Sequence, residues 1–257
     1  RCCLPEGGEI LQTITLVADL HVHTLSSGHA YSTMAEIIAV AAQKGLAAVA
    51  FTDHGPAMPG GPHRYHFGNQ VVLPAKENNV EILRGVEANI IDREGAIDLP
   101  AEYLRRLDLV WAGLHTPCLQ PASRSLNTET LLNVLENPFV DGIVHPGNPD
   151  FPIDFETVVR AAVDKGKLLE INNSSFVTIA RRGSKAGCQE IARLIQHYGA
   201  LTAINSDAHI AHDVGNCSLA LEIAREAGIK PAQVVNSDLQ ILKDFLRKRG
   251  KKRFLRL

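Results

Sequence analysis

The stretch Ala18-Asp19-Leu20-His21-Val22-His23-Thr24 decides the fold of this chain. A short apolar run ends directly in two imidazoles, whereas an open doubly wound sheet usually continues from its first strand into a glycine-rich phosphate loop. Alternate side chains of a strand point the same way, so His21 and His23 can hold one metal ion from one side. The stretch therefore favours a barrel that carries its chemistry at the carboxyl ends of its strands.

The rhythm of an apolar strand, a polar turn and an amphipathic helix recurs along the rest of the chain. Seven strands are predicted at 16–20, 47–52, 82–86, 109–113, 142–144, 167–171 and 201–205. Helices are predicted at 33–44, 128–135, 155–165, 184–197 and 219–227, and a small hairpin is predicted at 89–98. These βα units predict an α/β fold: a single-domain, distorted seven-stranded (βα)7 barrel, TIM-like, with one unit fewer than the eight-stranded barrel.

Composition indicates a soluble globular protein. The 257 residues are 45% hydrophobic and 21% charged. The sequence contains no run of 18 consecutive apolar residues, so we expect no membrane partner. Nothing divides the barrel domain, which we place at 13–245. Residues 1–12 start at Arg and carry no signal-peptide pattern, so we expect a disordered or vector-derived N-terminus. Five cysteines without a CxxC pair predict neither disulfides nor a thiolate zinc site, and favour a reducing, cytoplasmic location.

Charge is distributed unevenly along the chain. The net charge is −2, but residues 241–257 hold eight basic residues and one acid (+7), which leaves −9 on residues 1–240. An acidic body makes a nucleic-acid partner unlikely. We expect residues 246–257 to form a basic C-terminal tail, part of a solvated terminal helix within 243–257 whose apolar face carries Leu242, Phe245 and Leu246.

Metal-ligating residue types follow nearly every predicted strand. In chain order they are His21 and His23, Asp53 and His54, Glu87, His115, His145, Asn172 and Asn173, and Asp207 and His209. A three-residue window would hold a histidine by chance about one time in eight, yet five of the seven strand ends have one. His29 lies in the loop after the first strand, and Glu87 lies on a strand where an unpaired carboxylate would be costly. We therefore predict a multinuclear metal site, since imidazole and carboxylate suit zinc, manganese and iron.

These residues lie in strings that identify a known family. Residues 18–24, Thr52-Asp53-His54, Gly85-Val86-Glu87, His115, His145-Pro146-Gly147-Asn148-Pro149 and Asn205-Ser206-Asp207-Ala208-His209 resemble the PHP family, named after polymerase and histidinol phosphatase domains. The resemblance covers about residues 16–245. Tyr31-Ser32-Thr33, Pro62-His63-Arg64-Tyr65-His66-Phe67 and Glu170-Ile171-Asn172-Asn173-Ser174-Ser175-Phe176 are similar to its YcdX-like branch of small stand-alone metal-dependent phosphatases.

The resemblance implies three divalent ions, most often zinc, at the mouth of the barrel. His21, His23, Glu87 and Asp207 would hold the first ion. Glu87 would bridge to a second ion at His115 and His145, and His29, His54 and His209 would hold the third. Thr116 departs from the acid expected in relatives, and the C-terminal segment is more cationic than is typical, which concerns the substrate rather than the chemistry.

Such a site predicts a phosphoric monoester hydrolase acting on small molecules. Three divalent ions and two carboxylates leave about +4 on the ligand cluster, which attracts a phosphoester. Two neighbouring ions can generate a bridging hydroxide for in-line attack without a covalent enzyme intermediate. We expect Asp53 and Asp19 to orient ligand imidazoles.

Three further groups are predicted to contact the substrate. His63 and His66, in a Pro- and Gly-rich loop, would contact it or protonate the leaving group. Arg181 and Arg182 would bind its anionic end near the start of the next helix. Asn172 is a further candidate substrate contact at the end of the sixth predicted strand.

Two other functions stay open at the level of sequence. An amidohydrolase-like barrel would hydrolyse an amide or ester, but such barrels commonly carry a bridging lysine at a middle strand end, and none of the seven predicted ends has one. A non-catalytic, metal-stabilised PHP binding module is the second alternative. The physiological substrate, the metal in the cell and a possible homo-oligomer are not determined by the sequence.

Overall fold

A computed structural model describes residues 13–255, except for the side chain of Ala180. The expectation for residues 1–12 falls outside the described residues, as do the last two residues of the predicted basic tail. Between residues 13 and 255, no helix has the length and apolar character that crossing a membrane requires.

Between residues 13 and 255, seven parallel strands form the sheet, and an eighth short strand pairs with one of them. The strands are β1 (Ala18–Val22), β2 (Ala48–Phe51), β3 (Lys76–Glu77), β4 (Val80–Asn89), β5 (Leu109–Gly113), β6 (Gly142–Ile143), β7 (Leu168–Asn172) and β8 (Thr202–Asn205). Their order is β1-β2-β4-β5-β6-β7-β8, with β3 antiparallel to β4. A parallel bridge between Val22 and Ala208 brings β1 against the end of β8. The predicted seven-stranded, TIM-like barrel is confirmed.

Eight α-helices accompany the strands in the described part of the chain. They are α1 (Met34–Gln43), α2 (Tyr65–Asn69), α3 (Ala101–Leu104), α4 (Arg124–Glu136), α5 (Phe155–Asp164), α6 (Ser184–Tyr198), α7 (Ser218–Glu226) and α8 (Leu239–Lys248). Thr33 forms a capping box with Glu36 at the start of α1. Helix α4 begins four residues earlier than predicted, because Ser123 accepts a hydrogen bond from the Leu126 amide and caps it there.

Two hairpins flank the long strand β4. The predicted hairpin at 89–98 is present, with an antiparallel bridge between Ile90 and Ile97. The β3–β4 hairpin was not predicted. It turns through Asn78 and Asn79, whose φ angles of 48° and 66° suit a tight turn that asparagine tolerates.

Strand β1 contains an irregularity in its pairing with β2 at the predicted ligand His21. Between Asp19 and Val22 it advances three residues, while β2 advances only two from Val49 to Phe51. Such a bulge re-aims side chains and leaves backbone groups unpaired. Here side chains satisfy them: Asn205 Oδ1 accepts from the Leu20 amide at 3.0 Å, and Trp111 Nε1 donates to the Leu20 carbonyl at 2.7 Å.

The lower end of the barrel is closed by α8. Leu242, Phe245 and Leu246 are buried, and they pack in one cluster with residues of the barrel interior such as Leu20 and Trp111. Burial of this face is the main reason that the helix lies here. The apolar face was therefore predicted correctly, but it covers the barrel rather than lying in a solvated terminal helix.

Three cationic residues after α8 are paired with buried carboxylates. Asp141, which precedes β6, lies 3.1 Å from Arg249 Nε and 2.5 Å from Lys251 Nζ, and Asp108, which precedes β5, lies 2.9 Å from Arg253 Nη1. The boundary expected between 245 and 246 falls inside α8. The described part of the predicted tail is thus packed against the amino ends of the strands, because buried carboxylates there need cationic partners.

Candidate metal centre

Glu87 lies at the centre of the site, at the carboxyl-terminal part of β4. Its side chain is fully buried, and its two oxygens face different imidazoles. Oε1 lies 2.7 Å from His145 Nε2 and 3.0 Å from His115 Nε2. Oε2 lies 2.8 Å from His54 Nδ1 and 3.3 Å from the Nε2 atoms of both His21 and His23. This arrangement is the one a carboxylate needs to bridge two cations.

Asp207 is the second buried carboxylate, just beyond β8. Its Oδ1 lies 3.1 Å from His23 Nε2, whereas its Oδ2 accepts from Asn172 Nδ2 at 3.1 Å and lies 2.8 Å from Arg181 Nη1. Since Oδ2 is already engaged, Oδ1 is the oxygen that remains for a cation.

Acceptors behind the site fix the tautomers of three histidines. Nδ1 of His21 lies 2.7 Å from Glu170 Oε1, and Nδ1 of His115 lies 2.7 Å from Asn89 Oδ1. Nδ1 of His23 lies 3.0 Å from Ser27 Oγ, which itself donates to Asp53 at 2.7 Å and so acts as an acceptor toward the ring. Each Nδ1 therefore carries a proton, and Nε2 is the nitrogen that each ring turns toward the centre, where it can bind a cation once it is deprotonated.

A second group of imidazoles lies nearer the mouth. The ring of His29 stacks 5.0 Å from that of His54 and lies 4.9 Å from that of His209, and the rings of His209 and His23 are 4.2 Å apart. Nδ1 of His209 donates to the Asp207 carbonyl at 3.0 Å, which leaves Nε2 as its acceptor. His29 is exposed at the rim, in contrast to the buried His54.

Two of the predicted ligands have strained backbones. His145 has a φ angle of 34° and Asp207 one of 56°, a region that side chains other than glycine rarely adopt. Strain of this kind persists only where surrounding contacts hold it, and it clusters at functional sites.

Burial and neighbouring charges shift the pKa values of the cluster. Burial is the main cause that lowers the pKa of His54 to about 3 and those of His145 and His209 to about 4, so these rings are neutral at pH 7, as metal ligands must be. Burial disfavours the charge of Glu87, but the imidazoles around it hold its pKa well below the ordinary value. Burial also opposes protonation of His23, yet contacts with Asp207 and Glu87 raise its pKa to about 9, so an ion that binds there would displace a proton from this ring.

The residues present fit a metal centre. Buried polar atoms without a hydrogen-bond partner include His54 Nδ1, Glu87 Oε2 and Asp207 Oδ1, and leaving such atoms unpaired is costly unless a cation takes them. Three sets of ligand atoms lie within 4.8 Å of one another: His21, His23 and Asp207; His54, Glu87 and His115; and His23, His54 and His209. The sets share members, as expected where several cations are close together.

The site opens into a cleft of about 810 Å³. Its lining combines the imidazoles and Arg181 with Met58, Thr116, Asn148, Asp150 and Asp213. Arg181, whose side chain is 14% exposed, is thus available both to Asp207 and to an anion in the cleft.

Several predicted substrate contacts lie elsewhere. His63 is exposed outside the cleft lining, and His66, also outside that lining, donates from Nε2 to Asp53 Oδ2 at 3.2 Å. Phe67, next to His66 in α2, is buried in the core. Arg182 is exposed and lines a neighbouring pocket of about 470 Å³ instead.

Asp53 and Asn172 are buried and occupied by protein partners. Asp53 accepts from the Thr24 amide and from Ser27 Oγ, and so it orients His23 through Ser27 rather than contacting a substrate. Burial opposes its charge, but hydrogen bonds from His66 and Ser27 outweigh burial and lower its pKa to about 2. Asn172 donates to Glu170 and Asp207 and accepts from Ser175, which leaves no group for a substrate.

Asp19, predicted to orient imidazoles, instead holds the backbone behind them. It accepts from the amides of Ser206 and Gly215, and its contact with the His21 amide is long, at 3.4 Å. Sequence reasoning also missed Glu170, which contacts His21 directly. A signal was available, since Glu170 interrupts the apolar run of β7 just as Glu87 interrupts β4.

Comparisons with known proteins agree on one family. The PHP domain pattern matches residues 19–144. A probable phosphatase from Thermoanaerobacter sp. (strain X514) is 48% identical over 238 residues, covering 92% of this chain and 97% of that protein. A probable phosphatase from Acetivibrio thermocellus is 47% identical over 240 residues, covering 93% of this chain and 98% of that protein. The crystal structure of histidinol phosphate phosphatase from Lactococcus lactis has the same fold, with a TM-score of 0.58 at 19% identity over 82% of this chain and 91% of that one. The chain therefore belongs to the PHP family.

Proposed function

We propose that this protein is a metal-dependent phosphoric monoester hydrolase that acts on small molecules at a site for three divalent ions, with zinc as the best-fitting metal. The observation that carries the proposal is that the two carboxylate oxygens of Glu87 face different imidazoles: Oε1 faces His115 and His145, and Oε2 faces His21, His23 and His54. A single carboxylate with ligand sets on both sides is suited to a cluster of ions rather than to one ion.

The relatives support the phosphatase part of this proposal. The similar proteins from Thermoanaerobacter and Acetivibrio are both named probable phosphatases. The Lactococcus lactis neighbour in fold was crystallised with zinc, L-histidinol and phosphate.

We assign the ligands in three groups. His21, His23, Glu87 and Asp207 would hold the first ion, Glu87, His115 and His145 the second, and His29, His54 and His209 the third. His23 lies close to the third group as well, with its ring 4.5 Å from that of His54. This proximity supports placing the first and third ions side by side.

The residues around the cleft fit a phosphoester. Ions bound at the site would lower the pKa of water toward neutrality and neutralise the charge of a phosphoryl group. Arg181 presents a guanidinium to the same cleft, where it can donate to a phosphoryl oxygen. Polar side chains of Asn148, Asp150 and Thr116 on the wall would contact the leaving group.

The test compares Glu87→Gln with Glu81→Gln, the same substitution on the same strand at a partly exposed position where Glu81 pairs with Lys243. We expect the zinc-loaded protein and Glu81→Gln to hydrolyse a chromogenic phosphate monoester. Glu87→Gln should lose at least about 100-fold in kcat/KM, because removing one electrostatic group from a preorganised site costs this much. Elemental analysis should show fewer bound ions in Glu87→Gln alone.

Two further measurements separate the proposal from its alternatives. After one turnover in ¹⁸O-labelled water, we expect labelled phosphate and no trappable phosphoenzyme. Turnover of an anilide but not of the phosphate ester would contradict the proposal in favour of an amidohydrolase. Tight zinc binding without turnover of a broad panel of phosphomonoesters would indicate a binding module.

A further inference from the structure

We propose that Glu170 is a positioning residue that sets three of the metal ligands at once, an inference that rests on the proposed metal centre. Glu170 lies on β7 and is 2% exposed. Its carboxylate lies behind the ligand cluster. Among the described residues, none of the three sets of possible ligand atoms includes Glu170.

All four hydrogen-bonding positions of this carboxylate are filled by donors. Oε1 accepts from His21 Nδ1 at 2.7 Å and from Asn205 Nδ2 at 2.9 Å. Oε2 accepts from the His145 amide at 2.9 Å and from Asn172 Nδ2 at 3.0 Å. A carboxylate has about four lone-pair sites, so Glu170 has none left for a metal or a substrate.

Each of these contacts leads to a ligand of the proposed ions. The bond to His21 fixes the tautomer in which Nε2 faces Glu87. The bond to the His145 amide holds a backbone with a φ angle of 34°, which would otherwise relax. Asn172, held by Glu170, donates with its second hydrogen to Asp207 Oδ2 and so turns Oδ1 toward His23.

The fourth contact reaches the bulge in β1. Asn205 donates to Glu170 and accepts from the Leu20 amide at 3.0 Å, directly before His21. One buried carboxylate thus connects β1, β6, β7 and the end of β8. Displacing it would shift His21, His145 and Asp207 together.

The site requires a carboxylate at this position rather than an amide of the same shape. All four partners are donors, whereas a glutamine has one oxygen and one NH₂ group. In either orientation the NH₂ group would face two donors, so two contacts would become repulsive and leave buried donors unpaired. The negative charge also makes the ring of His21 a stronger ligand through its Nδ1 proton.

The test measures metal binding directly in the full-length protein. Cobalt(II) affinity is determined by chelator competition, together with the visible absorption bands of the bound ion, for Glu170→Gln and for Glu190→Gln as a matched control. Glu190 is a partly exposed residue of α6 that pairs with Arg193. We expect Glu170→Gln to bind cobalt about 10–100-fold more weakly with altered absorption bands, as for other residues that orient metal ligands. Glu190→Gln should match the original protein.

A purely structural role would give a different result. It would lower the melting temperature of the metal-free protein but leave cobalt affinity and absorption bands of the folded protein unchanged, and that result would overturn the proposal. Should Glu170→Gln not fold, Glu170→Asp carries the test, because it retains four acceptor sites on a shorter arm. Intermediate affinity is then expected, and unchanged affinity and bands overturn the inference.

The outcome for the original protein distinguishes this inference from the proposed function. If the original protein binds neither cobalt nor zinc, the proposed metal centre itself is wrong. If it binds metal and hydrolyses phosphate esters while Glu170→Gln does both equally well, only the role of Glu170 is wrong.

Discussion

Bound metal should stabilise the folded protein strongly, because the buried lone pairs of the site have no other partner. Glu87 Oε2, Asp207 Oδ1 and His54 Nδ1 are buried without hydrogen bonds in the folded chain, whereas water reaches them in the unfolded chain. An ion that binds only the folded state at 100 times its Kd contributes about 2.7 kcal/mol. For a chain of this size, each kcal/mol raises Tm by about 2–4 °C. We therefore expect a rise of about 5–11 °C for each saturated site.

The assay is thermal unfolding followed by circular dichroism after chelation and after stepwise addition of zinc. The midpoint temperature should rise with added zinc in the original protein and in Glu81→Gln. In Glu87→Gln the rise should be smaller by at least the contribution of one saturated site, about 5–11 °C. Equal melting temperatures with and without zinc would refute the reasoning. A rise of the same size in Glu87→Gln would show that the ions bind elsewhere.

Two predictions concern the lower end of the barrel. Burial lowers the pKa of Lys167 from 10.5 to about 8, so between these pH values the unfolded chain binds more protons than the folded one and this lysine makes the free energy of unfolding rise with pH. Urea unfolding from pH 7 to 10.5 should therefore show a smaller rise of that free energy in Lys167→Met than in the original protein. Parallel curves of unfolding free energy against pH would contradict this prediction. Leu246 is fully buried where α8 closes the barrel, and its replacement by alanine should lower the free energy of unfolding by about 2–5 kcal/mol. The phosphatase activity of folded Leu246→Ala should be unchanged, since the substitution lies at the end of the barrel opposite the cleft. Lost activity in the folded variant would contradict the prediction that this end of the barrel affects stability alone.

The pattern of strand ends made the centre predictable. In a parallel barrel the carboxyl ends of all strands meet on one face, so residues such as His21, Glu87 and Asp207 are brought together by the fold alone. Their sequence separation does not matter, and their residue types already specify divalent metals.

Residues that act through others were predicted only in part. Asp53 was expected to orient an imidazole and contacts His23 through Ser27, whereas Asn172, expected to contact the substrate, is engaged by Glu170 and Asp207. His66 contacts Asp53 and does not line the cleft. Which polar residue faces a cleft and which one supports a neighbour depends on side-chain direction, and local sequence does not determine it.

The sequence alone determined the seven-stranded barrel, the residue types at its mouth and the apolar face of α8, because periodicity and strand ends are local properties of the chain. Only the tertiary structure decided how Glu87 divides its oxygens between two sets of imidazoles, how Glu170 holds three ligands and where the basic C-terminal segment lies. These features depend on contacts between residues far apart in the sequence, and two of them, His21 with Glu170 and Arg249 with Asp141, join residues more than 100 positions apart. Such contacts exist only after the chain has closed the barrel.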